Sequence, residues 1–328
     1  MKKLFVAFFA LAALAACAKE ELVGVNQEAI SFDRAFVGNS TRATDPSYGT
    51  TDKPLTTFKV WGTVTGQEGP VAIFADDTVS GEVGPNSEWN CTTKTQYWIT
   101  GATYEFAAVV DGTVVTENGL PKTITYAADG STDLLYARSK QYVGLASDNP
   151  KVAFEFKHLL SKVKFTLENT TPAGENIGVY TYTLTDVKIT NAITNGTYTV
   201  ADVFDSTSKT YTVAGSWASN EAKGMTFESI IEGVTNNSSA ESANEKLIIP
   251  MTGANVSCKV NIYYGGKLIT TTPASTTVTL APGNAYNFKV STGLNNTIQF
   301  TVEEQPKWDN GNTHDSNADS VNDYVPLQ

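Results

Sequence analysis

The chain of 328 residues is poor in the side chains that do chemistry, with two histidines and three cysteines. Two imidazoles leave little scope for general acid–base work or metal ligation. His158 stands among alternating apolar residues and reads as a structural residue with a satisfied hydrogen bond. His314 stands in a polar tail. No Gly-x-Ser-x-Gly elbow, His-Glu-x-x-His pair or phosphate loop occurs. The adjacent carboxylates Asp76-Asp77 and Glu303-Glu304 would point to opposite faces of a strand, so neither pair is preset for joint work. These shortages read as a protein that is not an enzyme and that carries no cofactor and no metal. Two carboxylates brought from distant positions into one cleft remain the route to a hydrolase. Positive charge is short as well, at 23 Lys and Arg against 34 Asp and Glu, a net charge of -11. Such a surface repels nucleic acid and anionic lipid, and both are set aside as partners.

Long apolar runs are missing except at the start. Leu4 to Ala16 is unbroken Leu, Phe, Val and Ala behind Met1-Lys2-Lys3. It is too short for a membrane-spanning helix and reads as a signal-peptide core. It closes on Leu14-Ala15-Ala16-Cys17, which matches the lipobox of bacterial lipoproteins. That match implies removal of residues 1–16, acylation of Cys17 with palmitate-type chains, and anchoring by lipid alone. Ala18-Lys19-Glu20-Glu21 resembles the Lys-acid-acid export tag of outer-surface lipoproteins. Cys91 and Cys258 are then the remaining thiols. They lie far apart and read as two buried free thiols, with a disulfide as the alternative in an oxidising compartment.

The body is rich in Thr, Val, Tyr, Asn and Gly, and short alternating runs are broken by turn residues. This is an all-β composition. Ile30 and Phe32 alternate with polar neighbours in a first strand. An exposed link, Gly38-Asn39-Ser40-Thr41-Arg42, follows. Strands are expected at 55–64, 70–74, 94–99, 104–110, 124–126 and 134–137. Asp111-Gly112 between apolar runs predicts a hairpin. The alternation of Val152, Phe154 and Phe156 slips at Leu159-Leu160 before Val163, Phe165 and Leu167. Such a slip predicts a crossing from sheet to sheet. Further strands are expected at 180–190, 246–250, 257–264, 276–280, 286–290 and 298–302. Residues 221–232 read as a short helix or a loop.

The fold class is therefore all-β, with two tandem β-sandwich domains after the signal peptide. A propeptide with a removable first strand covers 17–42, the sandwiches 43–149 and 150–308, and a polar tail 309–328. Asp315-Ser316-Asn317-Ala318-Asp319 has the spacing of a calcium loop, but Ser320 and Pro326 stand where Gly and Glu belong, so it reads as a solvated acidic tail. Trp61, Trp89, Trp98 and Trp217 read first as packing residues and second as a sugar platform.

In order along the chain these features resemble the fimbrillin family, the lipoprotein precursors of type V pilus subunits and related surface lipoproteins. The carrying residues are the lipobox at Cys17, Ile30-Ser31-Phe32, Thr41-Arg42-Ala43, Phe58-Lys59-Val60-Trp61, Tyr97-Trp98 and Tyr104-Glu105-Phe106-Ala107-Ala108. Phe156-Lys157-His158-Leu159-Leu160-Ser161-Lys162-Val163-Lys164-Phe165, Leu280-Ala281-Pro282-Gly283-Asn284-Ala285-Tyr286-Asn287-Phe288 and Trp308 continue the match. The resemblance implies transthyretin-like sandwiches and a precursor carried to the outer membrane by its lipid. An arginine-specific protease would cut between Arg42 and Ala43. The first strand would leave, and the C-terminal segment of another subunit would take its place. Donor candidates are Ile298, Phe300 and Val302 of the last strand and Tyr324, Val325 and Leu327 of the tail. Partners implied are other pilin subunits, the protease, and a host or bacterial surface ligand. The alternative reading is a lipid-anchored surface protein that never polymerises and binds glycan or a host protein, or a tip or anchor pilin.

Overall fold

The computed structural model describes residues 28–33, 36–37, 55–66, 69–81, 89–172, 180–242, 245–293, 298–305 and 325–326. Its regular elements are strands alone, here numbered β1 to β25 in chain order. The all-β expectation holds.

An eight-stranded sheet runs in the order Phe36–Val37 (β1), Glu155–His158 (β10), Leu135–Arg138 (β8), Thr103–Val110 (β5), Thr57–Gly66 (β2), Gly69–Ser80 (β3) and Asn90–Cys91 (β4), with Tyr142–Val143 (β9) also on β5. A four-stranded sheet joins Gly215–Ala222 (β16), Ile193–Val200 (β13), Leu120–Ala127 (β7) and Thr113–Glu117 (β6). A six-stranded sheet runs Ser238–Glu241 (β19), Ser161–Asn169 (β11), Ala285–Thr292 (β23), Ile298–Gln305 (β24) and Val325–Pro326 (β25), with Lys246–Ile248 (β20) on β11. A five-stranded sheet runs Met225–Thr226 (β17), Tyr180–Ile189 (β12), Met251–Tyr264 (β21) and Lys267–Leu280 (β22), with Ile230–Val234 (β18) on β12. Val203–Asp205 (β14) and Thr210–Thr212 (β15) form a two-stranded ribbon. Pairing is antiparallel except for β1 with β10 and β11 with β23.

Three apolar cores follow from strand alternation, which sends neighbouring side chains to opposite faces. Phe58 and Val60 of β2, Phe74 of β3, Phe106 and Ala108 of β5 and Phe156 of β10 enter the first core. Trp61 of β2, Ala107 and Val109 of β5 and Tyr136 of β8 enter the second, against Ile124 and Tyr126 of β7 and Ile193 and Tyr198 of β13. The eight-stranded sheet is thus apolar on both faces at its centre, which is why β5 reads as a near-continuous apolar run. The third core lies between the six- and five-stranded sheets, with Phe165, Leu167, Phe288 and Val290 facing Leu184, Ile189, Val256 and Val260.

The slip at Leu159-Leu160 is the predicted crossing. Phe156 packs in the first core, Leu159 and Leu160 in the second, and Val163 in the third. Asp111-Gly112 does turn, with φ of 68° and 81°, but the hairpin expected there is corrected. Both edges of β5 are already taken, by β2 on one side and by β8 and β9 on the other. The chain therefore leaves the sheet, and β6 pairs with β7 instead. Asn118-Gly119, with φ of 52° and 81°, makes the hairpin turn there. Residues 94–99 form no strand, only an isolated bridge at Tyr97. Residues 221–232 hold β17 and parts of β16 and β18 rather than a helix. The strands of 193–222 were not expected from the sequence. They carry Ser, Thr, Asn and Gly on half-solvated faces, where apolar alternation is faint.

Candidate assembly site

Residues 28–33 read Glu-Ala-Ile-Ser-Phe-Asp, and the alternation points Ile30 and Phe32 inward. Phe32 is fully buried and Ile30 is buried. The Phe32 ring stacks on Phe154 at 6.2 Å and meets Phe74 edge-on at 5.7 Å, Phe58 at 6.3 Å and Phe106 at 6.4 Å. Such aromatic clusters contribute beyond area burial alone. Trp89 and Trp98 join the same core from one flank, Val152 and Phe154 from the other.

The backbone of this segment is bonded on both sides. Ile30 N–H donates to Gln96 C=O at 2.8 Å and Phe32 N–H to Trp89 C=O at 3.1 Å, while Trp98 N–H donates to Glu28 C=O at 3.0 Å. On the opposite flank Asp33 N–H donates to Val152 C=O at 2.8 Å and Val152 N–H to Ser31 C=O at 2.9 Å. Phe32 bridges Trp89 antiparallel and Val152 parallel. The segment is an extended stretch held by isolated bridges, on one flank to Trp89 and Tyr97 around β4 and on the other to Val152 just before β10, toward the two ends of the eight-stranded sheet. Without it, five backbone groups at residues 89, 96, 98 and 152 would lose their partners, and a ring-sized seat would open.

One end is held by a turn. Glu28 Oε2 accepts from Asn149 N–H at 2.8 Å and from Asn149 Nδ2 at 3.0 Å. Asn149 also accepts from Leu145 N–H at 2.6 Å and donates to Leu145 C=O at 3.1 Å. The Asn149 backbone and then side-chain hydrogen bonds hold the Glu28 carboxyl below its ordinary range. This contact escaped the sequence reading. An Asn-Pro turn and a lone Glu carry no mark that they meet.

Of the other residues singled out, Cys17, Arg42, Ala43, Tyr324, Leu327, Trp308, His314 and 315–320 lie outside the described residues. Ile298, Phe300 and Val302 lie in β24, which pairs with β23 along all eight residues. Val302 is buried in the third core, with Ile298 and Phe300 packed against it. Val325 pairs with Glu304 at the edge of β24. Trp61, Trp89 and Trp98 are buried, and Trp217 is half-buried and donates to Leu159 C=O at 3.0 Å, so the four make no sugar platform. His158 is buried beside the Asp133 carboxylate, the structural role expected of it. Asp77 pairs with Lys94 at 2.8 Å while Asp76 is exposed. Glu303 faces Lys289 and Asn287, and Glu304 faces Tyr286 and Asn284. Cys91 and Cys258 are free thiols, but only Cys258 is buried as expected; Cys91 is half-buried at the sheet edge in β4. Among the described residues no group of three His, Cys, Asp or Glu is placed to hold a metal ion.

No curated protein sequence matches the chain significantly. Among solved structures it is similar to a candidate cell adhesion protein of Bacteroides uniformis, at 14% identity and a TM-score of 0.49 over 86% of this chain and 98% of that one. A fimbrial assembly protein of Parabacteroides distasonis is similar at 15% identity and 0.42, over 84% and 96%. The fimbrial anchor protein Mfa2 of Porphyromonas gingivalis is similar at 12% and 0.38, over 85% and 97%. The family model described as fimbrillin-like matches residues 41–306, most of the chain, and the protein therefore belongs to the fimbrillin-like family.

Proposed function

We propose that this protein is a structural subunit of cell-surface fimbriae that polymerises by strand exchange. Membership of a pilin family makes it structural rather than catalytic. In the proposed sequence of events, Cys17 is acylated and holds the precursor at the outer membrane. An arginine-specific protease cuts between Arg42 and Ala43. Residues 17–42 leave with the lipid, and the C-terminal segment of another subunit enters the vacated seat.

The observation that carries this reading is the first strand itself. Residues 28–33 lie upstream of the family match, which begins at residue 41, yet Phe32 is wholly buried in the first core. A strand that is structurally integral but precedes the cleavage point would, once lost, leave unpaired backbone groups and apolar surface. That is a strong template for strand addition.

The test is limited trypsin digestion of the form lacking the signal and Cys17, followed by intact mass and an unboiled SDS gel. Cleavage at Arg42 that produces an SDS-resistant ladder is the expected result. Resistance of Arg42 while the body stays folded would overturn the reading.

A further inference from the structure

We infer that the pole of the first half at Glu28 is a membrane-docking surface, with Tyr97, Val143 and Leu145 seated in the headgroup–acyl boundary of the bilayer that holds the Cys17 lipid. The inference rests on acylation of Cys17 and adds to it a contact surface and an orientation.

The loops of this pole are bonded to one another. Ala29 bridges Tyr97. Gly101 N–H donates to Gly144 C=O at 2.8 Å, and Gly144 N–H donates to Ala102 C=O at 2.9 Å. Asn149 joins Glu28 to Leu145. A Cβ on Gly144 would lie 2.2 Å from the Ile99 carbonyl oxygen, so the missing side chain lets the two loops touch. Tyr104 Oη accepts from Ile99 N–H at 2.6 Å and donates to Tyr97 C=O at 3.3 Å, which fixes the first loop from inside. On this base Tyr97, Val143 and Leu145 are 45%, 53% and 49% exposed. Exposed apolar residues standing singly are ordinary, but a group of them on joined loops marks a contact surface.

Position and charge name the occupant. Glu28 lies eleven residues after Cys17, a reach of at most about 36–40 Å for extended chain. Tyr142 and Val143 pair with the start of β5. His158, Leu135 and Val110 pair in a row at its other end, from which the chain passes through Leu159-Leu160 into the second half. The patch therefore sits at the end of β5 remote from that passage. Residues 96–102 and 141–147 carry no charged side chain. At the margin Glu28 and Asp148 stand against Lys140 and Lys151, Lys94 is paired with Asp77, and Arg138 with Glu105. This is a neutral spot on a chain of net charge -11. The rest of the surface repels an anionic face, but here a tyrosine and two aliphatic side chains enter the boundary without burying a charge. A tyrosine suits that depth, with its ring in the apolar layer and its hydroxyl in water. The tether alone leaves the body free to turn. The patch sets the first half on the bilayer and directs the second half away from it.

The test uses the mature acylated chain in phosphatidylcholine vesicles, with and without bromine on the lipid chains, and reads quenching of an added tryptophan over the wild-type signal. Tyr97→Trp and Leu145→Trp should each be quenched by brominated lipid. Ile269→Trp should not be, because Ile269 is exposed near the β21–β22 turn of the second half. Val143→Asp and Leu145→Asp added to Tyr97→Trp should abolish its quenching and leave the melting temperature unchanged. High salt should not reduce the quenching, because the contact is apolar. If Cys17 is acylated by intact mass, yet Tyr97→Trp and Leu145→Trp are quenched no more than Ile269→Trp, anchoring stands and the docking surface falls. If the two aspartates leave the quenching intact but dissociate a dimer, the patch joins copies of this chain and the membrane assignment falls. If the mature chain carries no acyl group on Cys17, the anchoring reading falls and this inference with it.

Discussion

At the scale of single residues, Phe32 is where sequence position and burial conflict most. It sits before the family match yet touches four aromatic rings of the first core. Truncating a fully buried Phe removes its transfer free energy and leaves a cavity, at a cost of about 3–5 kcal/mol. Phe32→Ala should therefore lower the unfolding free energy of the uncleaved protein, read from a urea titration, by an amount in that range. If cleavage at Arg42 releases the strand, the same substitution should have no effect on the stability of the cleaved protein. A persistent difference after cleavage would mean that the strand has stayed in place. Gly81 makes a related point from the other flank. A Cβ there would lie 2.4 Å from the Trp89 ring, so the absence of a side chain is what lets the indole settle over the core.

At the scale of elements, the β14–β15 ribbon shows how a short polar hairpin is held to a sheet. Arg138 is buried between two carboxylates, Glu105 at 3.1 Å and Asp202 at 3.3 Å. Its guanidinium lies 4.2 Å over the Tyr211 ring of the ribbon. Tyr211 Oη donates to Glu105 at 2.6 Å, Tyr136 Oη donates to Asp202 at 2.6 Å, and Gln141 N–H donates to Lys209 C=O at 2.8 Å. Removing the cation leaves two poorly solvated carboxylates facing each other, which typically costs about 3–5 kcal/mol. Arg138→Ala should produce a loss of that size in the unfolding free energy read from a denaturant titration, and amide exchange should rise first in residues 203–212. Uniform destabilisation with the ribbon still protected would show that the network serves the sheet and not the ribbon. Nothing in the spacing of Glu105, Arg138, Asp202 and Tyr211 foretells this cluster, because the residues come from four separate segments.

At the scale of the whole molecule, stability should be lost on the alkaline side. Burial, with a smaller contribution from Asp186, pushes the Cys258 thiol from its ordinary 9.0 up to about 12. Burial likewise pushes the Tyr286 hydroxyl from 10.0 to about 12, and burial followed by the hydrogen bond to Glu105 does the same to Tyr211. These groups stay protonated in the folded chain and ionise at ordinary values once it unfolds. Their contribution is complete below pH 9.0, the ordinary thiol value, and is lost as pH rises towards about 12. Melting temperature should fall through that window, and Cys258→Ala should remove its first part while leaving the part due to tyrosine. An unchanged melting temperature across the window would contradict the burial of these groups.

The whole molecule also separates what was legible from what was not. Composition and period-two alternation determined the all-β class by themselves, because a strand half-buried against a core must alternate. The slip at Leu159-Leu160 determined a change of sheet, because a one-residue shift turns every following side chain to the other face. Which strands pair was decided only by the tertiary structure. Asp111-Gly112 carries a hairpin signal, but β5 has no free edge, and β7 of the first half pairs with β13 of the second across a long stretch of chain. The apolar alternation of Ile30-Ser31-Phe32 was visible, though the segment is held by isolated bridges and not as a regular strand. Its seat, built from Trp89, Gln96, Trp98, Asn149 and Val152, was not. Local patterning records which face of a strand is apolar. Only the packed chain shows which distant segments meet that face.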